Sequence, residues 1–344
     1  MTIIYFILIL GGIVFFHEFG HYLFAKKSGV YIYEFSIGMG PQIFKWIGKK
    51  DKITYSIRLF PIGGFVQMAG EEIELDEKIP KDKRMQSKTW FQRFSIMIAG
   101  IFFNFILTLV LLFIVGIIDG VPTKTYIYSI DENSSAYDAG LRQNYEIISV
   151  NKEDSNSQDM LTLELITSTK EKVNIKYRDS DGNIKEVKFQ ADKEENNGKT
   201  EYKYGFKLAS FTEKGFLKSI KYAFLKTLEL IKYMCLVIWY LITGSLSVSS
   251  LSGPVGIFTM VGETAKAGLI NLIYLMAIIS ANVGFINLLP LPAFDGGRIL
   301  FLIIEKIKGS PVNPKIENWI HSIGLILLMV LMVFITYNDI INLF

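Results

Sequence analysis

Four apolar runs constrain this chain more than any other feature: residues 2–25, 94–118, 269–289 and 320–336. Each is near the roughly 20 residues that a bilayer-spanning helix needs. Half of the 344 residues are hydrophobic and a fifth are charged, which excludes a disordered chain and argues against an ordinary soluble enzyme. The net charge of +3, with no basic stripe carrying interleaved aromatics, gives no reason to expect a nucleic-acid partner. The single cysteine, Cys235, rules out an intrachain disulfide or a thiolate metal cluster built within one chain.

The first run has no basic segment before it and no small-x-small cleavage pattern after it, so it reads as a retained span and not a signal peptide. Lys26 and Lys27 follow directly, which places its C-terminal end in the cytoplasm and its N-terminus outside. The expected organisation is a first transmembrane helix over 1–25, a cytoplasmic loop with a β-hairpin over 26–93, and a second transmembrane helix over 94–118. An extracytoplasmic domain over 121–208 comes next, then a membrane-associated amphipathic segment over 215–267. A broken transmembrane helix over 268–306 and a C-terminal one over 307–344 complete the chain. Within the cytoplasmic loop, Ile53–Leu59 alternates like a half-buried strand, and Gly63-Gly64 is expected to fold Phe65–Met68 back against it. Glu71–Lys88 is charged and reads as a mobile loop.

The insert resembles a PDZ domain. The resemblance rests on a short helix ending in Ala139-Gly140-Leu141, a turn at Asn144-Tyr145, and a strand Ile147-Ile148-Ser149-Val150-Asn151. Two further strands, Lys172–Arg178 and Ile184–Gln190, are expected to pair through Asp181-Gly182. The segment 215–242 carries Lys218, Lys221, Lys226 and Lys232, as an interface-lying helix would, but its apolar second half leaves a crossing open.

His17-Glu18-Phe19-Gly20-His21 is an H-E-x-x-H motif. On a helix, positions i and i+4 share a face, so both imidazoles can reach one metal ion while Glu18 stands beside them to handle a proton. Two neutral imidazoles suit zinc, with water at an open position. Two of only three histidines fall here, inside an apolar span where an ionisable group costs roughly 2.5–3.5 kcal/mol on insertion scales. A catalytic zinc needs a third protein ligand, and the candidates are His321, Asp119, Asp295, Glu305 and Asp339. Asp295 stands out because Pro290 and Pro292 bend the helix before it, while Gly296-Gly297 permit close backbone approach after it.

These two motifs, H-E-x-x-H in the first span and N-x-x-P-x-P-x-x-D-G beginning at Asn287, resemble those of the site-2 protease family of intramembrane zinc metalloproteases (peptidase family M50). With Gly38–Pro41, Phe60–Val66, Ser252–Gly256 and the single insert, the likeness extends to the bacterial RseP/RasP-like branch with one PDZ domain. The resemblance implies that His17, His21 and Asp295 bind Zn²⁺, that Glu18 is the catalytic base, and that Asn287 contacts substrate. It implies an α-helical polytopic membrane protein of about four transmembrane helices with a cytoplasmic β-hairpin region and a small inserted α+β PDZ domain. The expected activity is zinc endopeptidase cleavage of single-span membrane proteins in the bacterial cytoplasmic membrane, by a monomer, with the zinc in the cytoplasmic half of the lipid bilayer. Two other readings stay open from the residues alone: a membrane-anchored PDZ scaffold with a vestigial metal site, and a metal transporter.

Overall fold

The computed structural model describes residues 1–70, 79–151, 153–154, 157–168, 172–196, 199–247 and 251–341. The first apolar run forms α1 (Thr2–Lys27), whose last turn carries Lys26 and Lys27, a favourable placement at the negative end of the helix dipole. Strands β1 (Ile32–Ile47) and β2 (Thr54–Met68) follow, then two 3₁₀ turns at Lys81–Lys83 and Met85–Ser87, then α2 (Trp90–Ile118). Next come β3 (Val121–Ile130), α3 (Ser135–Asp138), β4 (Glu146–Val150), β5 (Glu153–Asp154), α4 (Gln158–Thr167), β6 (Val173–Arg178) and β7 (Ile184–Phe189). After β8 (Asp192–Asn196), β9 (Lys199–Lys203) and β10 (Phe206–Glu213), the chain is helical. Its last helices are α5 (Phe216–Thr243), α6 (Pro254–Lys266), α7 (Leu269–Leu288), α8 (Asp295–Lys308) and α9 (Pro314–Ile341). Among the described residues, four helices (α1, α2, α7 and most of α9) are long and apolar enough to cross a membrane; α5, with its lysines, is not one of them. The chain is a mostly helical polytopic membrane protein with an antiparallel β-sheet region.

The residues group into two compact units. One comprises Met1–Phe113, Ala223–Met234 and Val248–Phe344; the other comprises Ile114–Tyr222 and Cys235–Ser247. In the first unit, Phe6, Ile9 and Ile13 of α1 pack with Leu107 of α2, Val261 of α6 and Leu272, Leu275 and Ile279 of α7. Further along α1, Tyr22 and Ala25 pack with Phe35 and Val66 of the sheet, Ile96, Met97 and Ile101 of α2, and Ile299 and Leu302 of α8. Polar staples fix the same elements. The Trp90 indole donates to Leu302 O (2.6 Å), and Arg93 grips Glu305 through its two terminal guanidinium nitrogens. Asp339 of α9 accepts from the Gly253 and Gly256 amides (3.2 and 2.8 Å) at the start of α6.

The β1–β2 sheet differs from the expected hairpin. The chain does reverse ahead of Gly64, with Gly63 at φ +87°, but the two arms of β2 do not pair with each other, because residues 34–37 of β1 lie between them. Residues 64–68 pair with β1 (Ile37↔Gly64 to Ile32↔Met68), while residues 54–60 pair with the far part of β1 (Ile47↔Thr54 to Met39↔Phe60). Residues 34–37 also lie against 54–57, so 54–57 is flanked on both sides and 64–68 on one. A second turn, at residues 48–53, joins β1 to β2, where Gly48 N donates to Ile53 O and Lys52 takes a positive φ. The expected mobile loop over 71–88 divides: 71–78 lie outside the described residues, and 79–88 carry the two 3₁₀ turns, tied back by Met85 N to Ala69 O (2.7 Å).

In the second unit the sheet runs β10-β3-β4-β6-β7, with β5 on β4. Its core is Ile127, Leu141, Ile147, Val150, Leu161, Val173 and Ile175, all essentially inaccessible. Asn144 occupies the left-handed region at φ +68°, a conformation asparagine tolerates better than most residues. β6 and β7 form a hairpin, and the Asp179 carboxylate closes its turn by accepting from the amides of Asp181 and Asn183.

Candidate metal centre

The site starts from an interruption. α7 stops at Leu288 because Pro290 bars the helical region to the residue before it, and Leu289 is accordingly extended (φ −62°, ψ 140°). The chain crosses Leu291, Pro292 and Ala293 and re-enters helix with Asp295 as the first residue of α8. Asp295 does not cap that helix with its side chain. Its Oδ2 lies 3.1 Å from His17 Nε2 and 3.2 Å from His21 Nε2, and the two Nε2 atoms are 3.2 Å apart. Residues nearly 280 positions apart therefore present three donor atoms to one point, and all three side chains are largely buried.

Each imidazole is oriented from behind. His21 Nδ1 faces Ile96 O at 2.8 Å, so Nδ1 carries the proton and Nε2 keeps its lone pair for the centre. His17 Nδ1 faces the side-chain amide of Asn104, which is completely buried in α2, at 3.2 Å. In the present amide orientation Nδ2 meets the ring, and Asn104 Oδ1 is buried without a hydrogen bond among the described residues. A half-turn of the amide lets Oδ1 accept from Nδ1–H, which is the tautomer a metal on Nε2 demands. The Asn104 carbonyl in turn accepts from Thr108 and Ser280 (both 2.9 Å), tying α2 to α7 at this level.

Two glycines make the convergence possible. A Cβ on Gly20 would stand 2.5 Å from Ala99 O, so α1 and α2 touch through bare backbone at the level of the histidines. A Cβ on Gly100 would stand 2.3 Å from His21 Nε2, inside the space the donors share. Glu18 is half-buried beneath β2, where a Cβ at Gly64 would come within 3.3 Å of its Cγ.

The donor set fits zinc. Ligands at about 2.0–2.1 Å in a tetrahedron are separated by about 3.3 Å, close to the 3.1–3.2 Å found here. Asp295 Oδ2 is buried without a hydrogen bond among the described residues, which is how a carboxylate oxygen reserved for a cation looks. Among the described residues, no other group of His, Cys, Asp or Glu could hold a metal in this way. Three of the four rival third ligands are engaged elsewhere, Glu305 with Arg93, Asp339 with the α6 amides, and His321 with Ala293 N (3.1 Å), and the fourth, Asp119, is an exposed residue just past the end of α2. Asn287 sits in the last turn of α7, half-buried, with Nδ2 donating to Val283 O (3.0 Å).

The model of Peptidase family M50 matches residues 5–331. The chain belongs to this family. It is similar to the regulator of sigma-W protease RasP of Bacillus subtilis, 33% identical over 422 aligned positions that cover 100% of this chain and 99% of the relative. It is also similar to the zinc metalloprotease RasP of Bacillus licheniformis (34% over 423 positions, 100% and 99%) and that of Geobacillus kaustophilus (32% over 415, 98% and 97%). An M50 peptidase is a protease, so the scaffold and transporter readings give way to an enzyme. Reading the sequence by its motifs gave no role to Asn104, Gly20 or Gly100, although Ala99-Gly100 and Asn104-Phe105 match the second-span pattern of the family. A lone amide within an otherwise apolar span was a further signal for Asn104; the role of the glycines is set by which helix lies opposite.

Proposed function

We propose that this M50 peptidase is a zinc endopeptidase that cuts single-span membrane proteins within or beside their transmembrane helix, with His17, His21 and Asp295 holding the metal and Glu18 moving the proton. The reading rests on one observation, the convergence of His17 Nε2, His21 Nε2 and Asp295 Oδ2 to within 3.2 Å of one another inside a bundle of apolar helices. Held by His17, His21 and Asp295, zinc would activate water near neutral pH and polarise the scissile carbonyl. Glu18 accepts the water proton and returns it to the leaving amine. Ile96 O and Asn104 hold the two rings so that this centre need not reorganise during the reaction.

A helix shields its own peptide bonds, so the substrate must unwind before it reaches the centre. The edge formed by residues 64–68 supports one route. It pairs with β1 alone among the described strands and passes over Glu18, so an extended substrate segment can add to it as a further strand. Residues 54–57, flanked on both sides, cannot serve in this way. Asn287, at the end of α7, is assigned to the substrate side on the family likeness. Lys26 and Lys27 ending α1, with Lys306 and Lys308 ending α8, favour the cytoplasmic half for the zinc site.

The sheet of the second unit is read as a PDZ domain. Its outer strand β10 packs against α4, and there Gln158 Nε2 donates to Leu208 O while Oε1 accepts from Ser210 (both 3.2 Å). This self-bonding across the strand–helix groove favours exclusion of bulky substrates by size over capture of peptide ends. The relative in Bacillus subtilis is named for the regulation of sigma-W; a membrane-anchored regulator of a sigma factor is accordingly the first substrate to test, with remnant signal peptides second. The test is cleavage of such a single-span protein in liposomes by the wild type and by Glu18→Gln. Fragments produced by the wild type alone support the proposal; equal clipping by both sinks it.

A further inference from the structure

The third histidine has no place in the mechanism above, yet it touches the segment that delivers Asp295. Ala293, two residues before Asp295, has φ +77°, a left-handed conformation that an L-residue with a Cβ adopts rarely. Lys52, Asn144 and Asn151 are the other non-glycine residues with positive φ among those described, and none is near the metal centre in sequence. A strained residue persists only where its surroundings over-determine it. The Ala293 amide donates to His321 Nδ1, 3.1 Å away on α9.

The neighbours of that hydrogen bond are shaped for it. Gly324 lies one turn beyond His321 on the same face of α9, and a Cβ there would stand 2.2 Å from Pro292 Cβ and 2.9 Å from Pro292 C. Pro292 therefore sits against bare helix backbone. On the other side, a Cβ at Gly297 of α8 would stand 2.5 Å from Leu291 O and 3.2 Å from His321 Cε1. The Phe301 ring lies 5.7 Å from the imidazole, centroid to centroid. His321 and Gly324 thus form a seat on the last helix into which residues 292–293 are pressed. The polar contribution of the ring is its Nδ1 acceptor, because Nε2 is buried without a hydrogen bond among the described residues.

We infer that His321 is a positioning residue for the metal centre: by accepting from the Ala293 amide it holds the strained turn that places Asp295 Oδ2 against His17 and His21. The inference rests on the reading of Asp295 as a zinc ligand. It makes α9 part of the apparatus that shapes the centre, although α9 supplies no ligand. The neutral Nε2–H tautomer is the form that does this, since Nδ1 must keep its lone pair.

The test uses the full-length protein in detergent, loaded with one zinc, and follows zinc transfer to a chromophoric chelator together with thermal unfolding. His321→Phe keeps a ring beside Phe301 but removes the acceptor; zinc affinity should fall about 10–100-fold, the usual effect of losing a residue that orients a ligand. His321→Asn puts an oxygen where Nδ1 stood and should hold zinc nearly as the wild type does. His321→Gln, of similar polarity but with its acceptor displaced to the Nε2 position, should behave like the Phe variant. This Asn–Gln pair decides the matter if the Phe variant fails to fold. Ala293→Gly accepts the left-handed conformation without help, so combined with His321→Phe it should recover most of the lost affinity. A residue that merely fills space would show neither the Asn–Gln contrast nor the recovery by glycine.

Asp295→Ala separates the two levels of the argument. If it releases zinc while His321→Phe and His321→Gln retain it at the wild-type affinity, the positioning role is wrong and the ligand assignment stands. Failure of Ala293→Gly to recover the Phe variant also overturns the role. If Asp295→Ala itself retains zinc, the ligand assignment fails and the inference goes with it.

Discussion

Asn104 illustrates how much of this centre depends on residues that bind nothing themselves. It is sealed in α2 with its amide against His17 Nδ1, and its carbonyl links α2 to α7 through Ser280. Removing the amide leaves the His17 ring free to turn, so Asn104→Ala should weaken zinc binding about tenfold or more, read by competition with a chelator. Gly20 acts through absence. Alanine there puts a methyl 2.5 Å from Ala99 O, and backbone cannot step aside as a side chain can. Gly20→Ala should therefore destabilise the protein by about 1–3 kcal/mol and separate α1 from α2, seen as a lower unfolding midpoint in detergent. The histidines and Glu18 were legible in the sequence because helical periodicity alone puts i and i+4 on one face. Gly20 and Gly100 were not, because their meaning lies in the helix that packs opposite, and a sequence does not say which that is.

Among the elements, the break between α7 and α8 could be read in advance and the sheet could not. Proline restricts its own backbone and that of the residue before it, so Pro290 and Pro292 announce an interruption wherever they occur. The pairing of β2 is a tertiary fact: Gly63-Gly64 announces a reversal, but not that residues 34–37 of β1 insert between the two arms it separates. In the second unit, the β6–β7 hairpin carries a pH dependence of its own. The Lys185 ammonium, 2.7 Å from Asp179, together with the Asn183 and Asp181 amides, holds that carboxyl below the usual carboxylate range. A depressed folded pKa stabilises the hairpin above the unfolded value, about 3.9, and the stabilisation is lost as pH falls through the folded one. Hydrogen exchange of the β6 and β7 amides should accelerate on acidification beyond its intrinsic pH dependence. Asp179→Asn should exchange faster at neutral pH and lose that acid-induced acceleration; an unchanged acid response in the variant would assign it to another group.

At the scale of the whole molecule, a membrane protein has placed an ionisable cluster where lipid would penalise it, and the bundle exists to shield that cluster. α1 supplies two imidazoles, α2 orients them, the α7–α8 interruption delivers the carboxylate, and β2 covers Glu18. α9 shows many large apolar side chains at its surface, Ile326, Leu327, Val330 and Val333 among them, as a lipid-facing helix does, yet its inner face seats the turn before Asp295. The architecture was readable in outline because apolar runs of spanning length have few other fates. The most direct measurement is X-ray absorption at the zinc edge on the purified full-length protein. The account requires one zinc per chain with only nitrogen and oxygen neighbours at about 2.0–2.1 Å, two of them imidazoles, and an imidazole contribution that is halved or lost with the metal in His21→Ala. A spectrum unchanged by that substitution, or a protein that purifies without stoichiometric zinc and cannot be loaded with it, would contradict it.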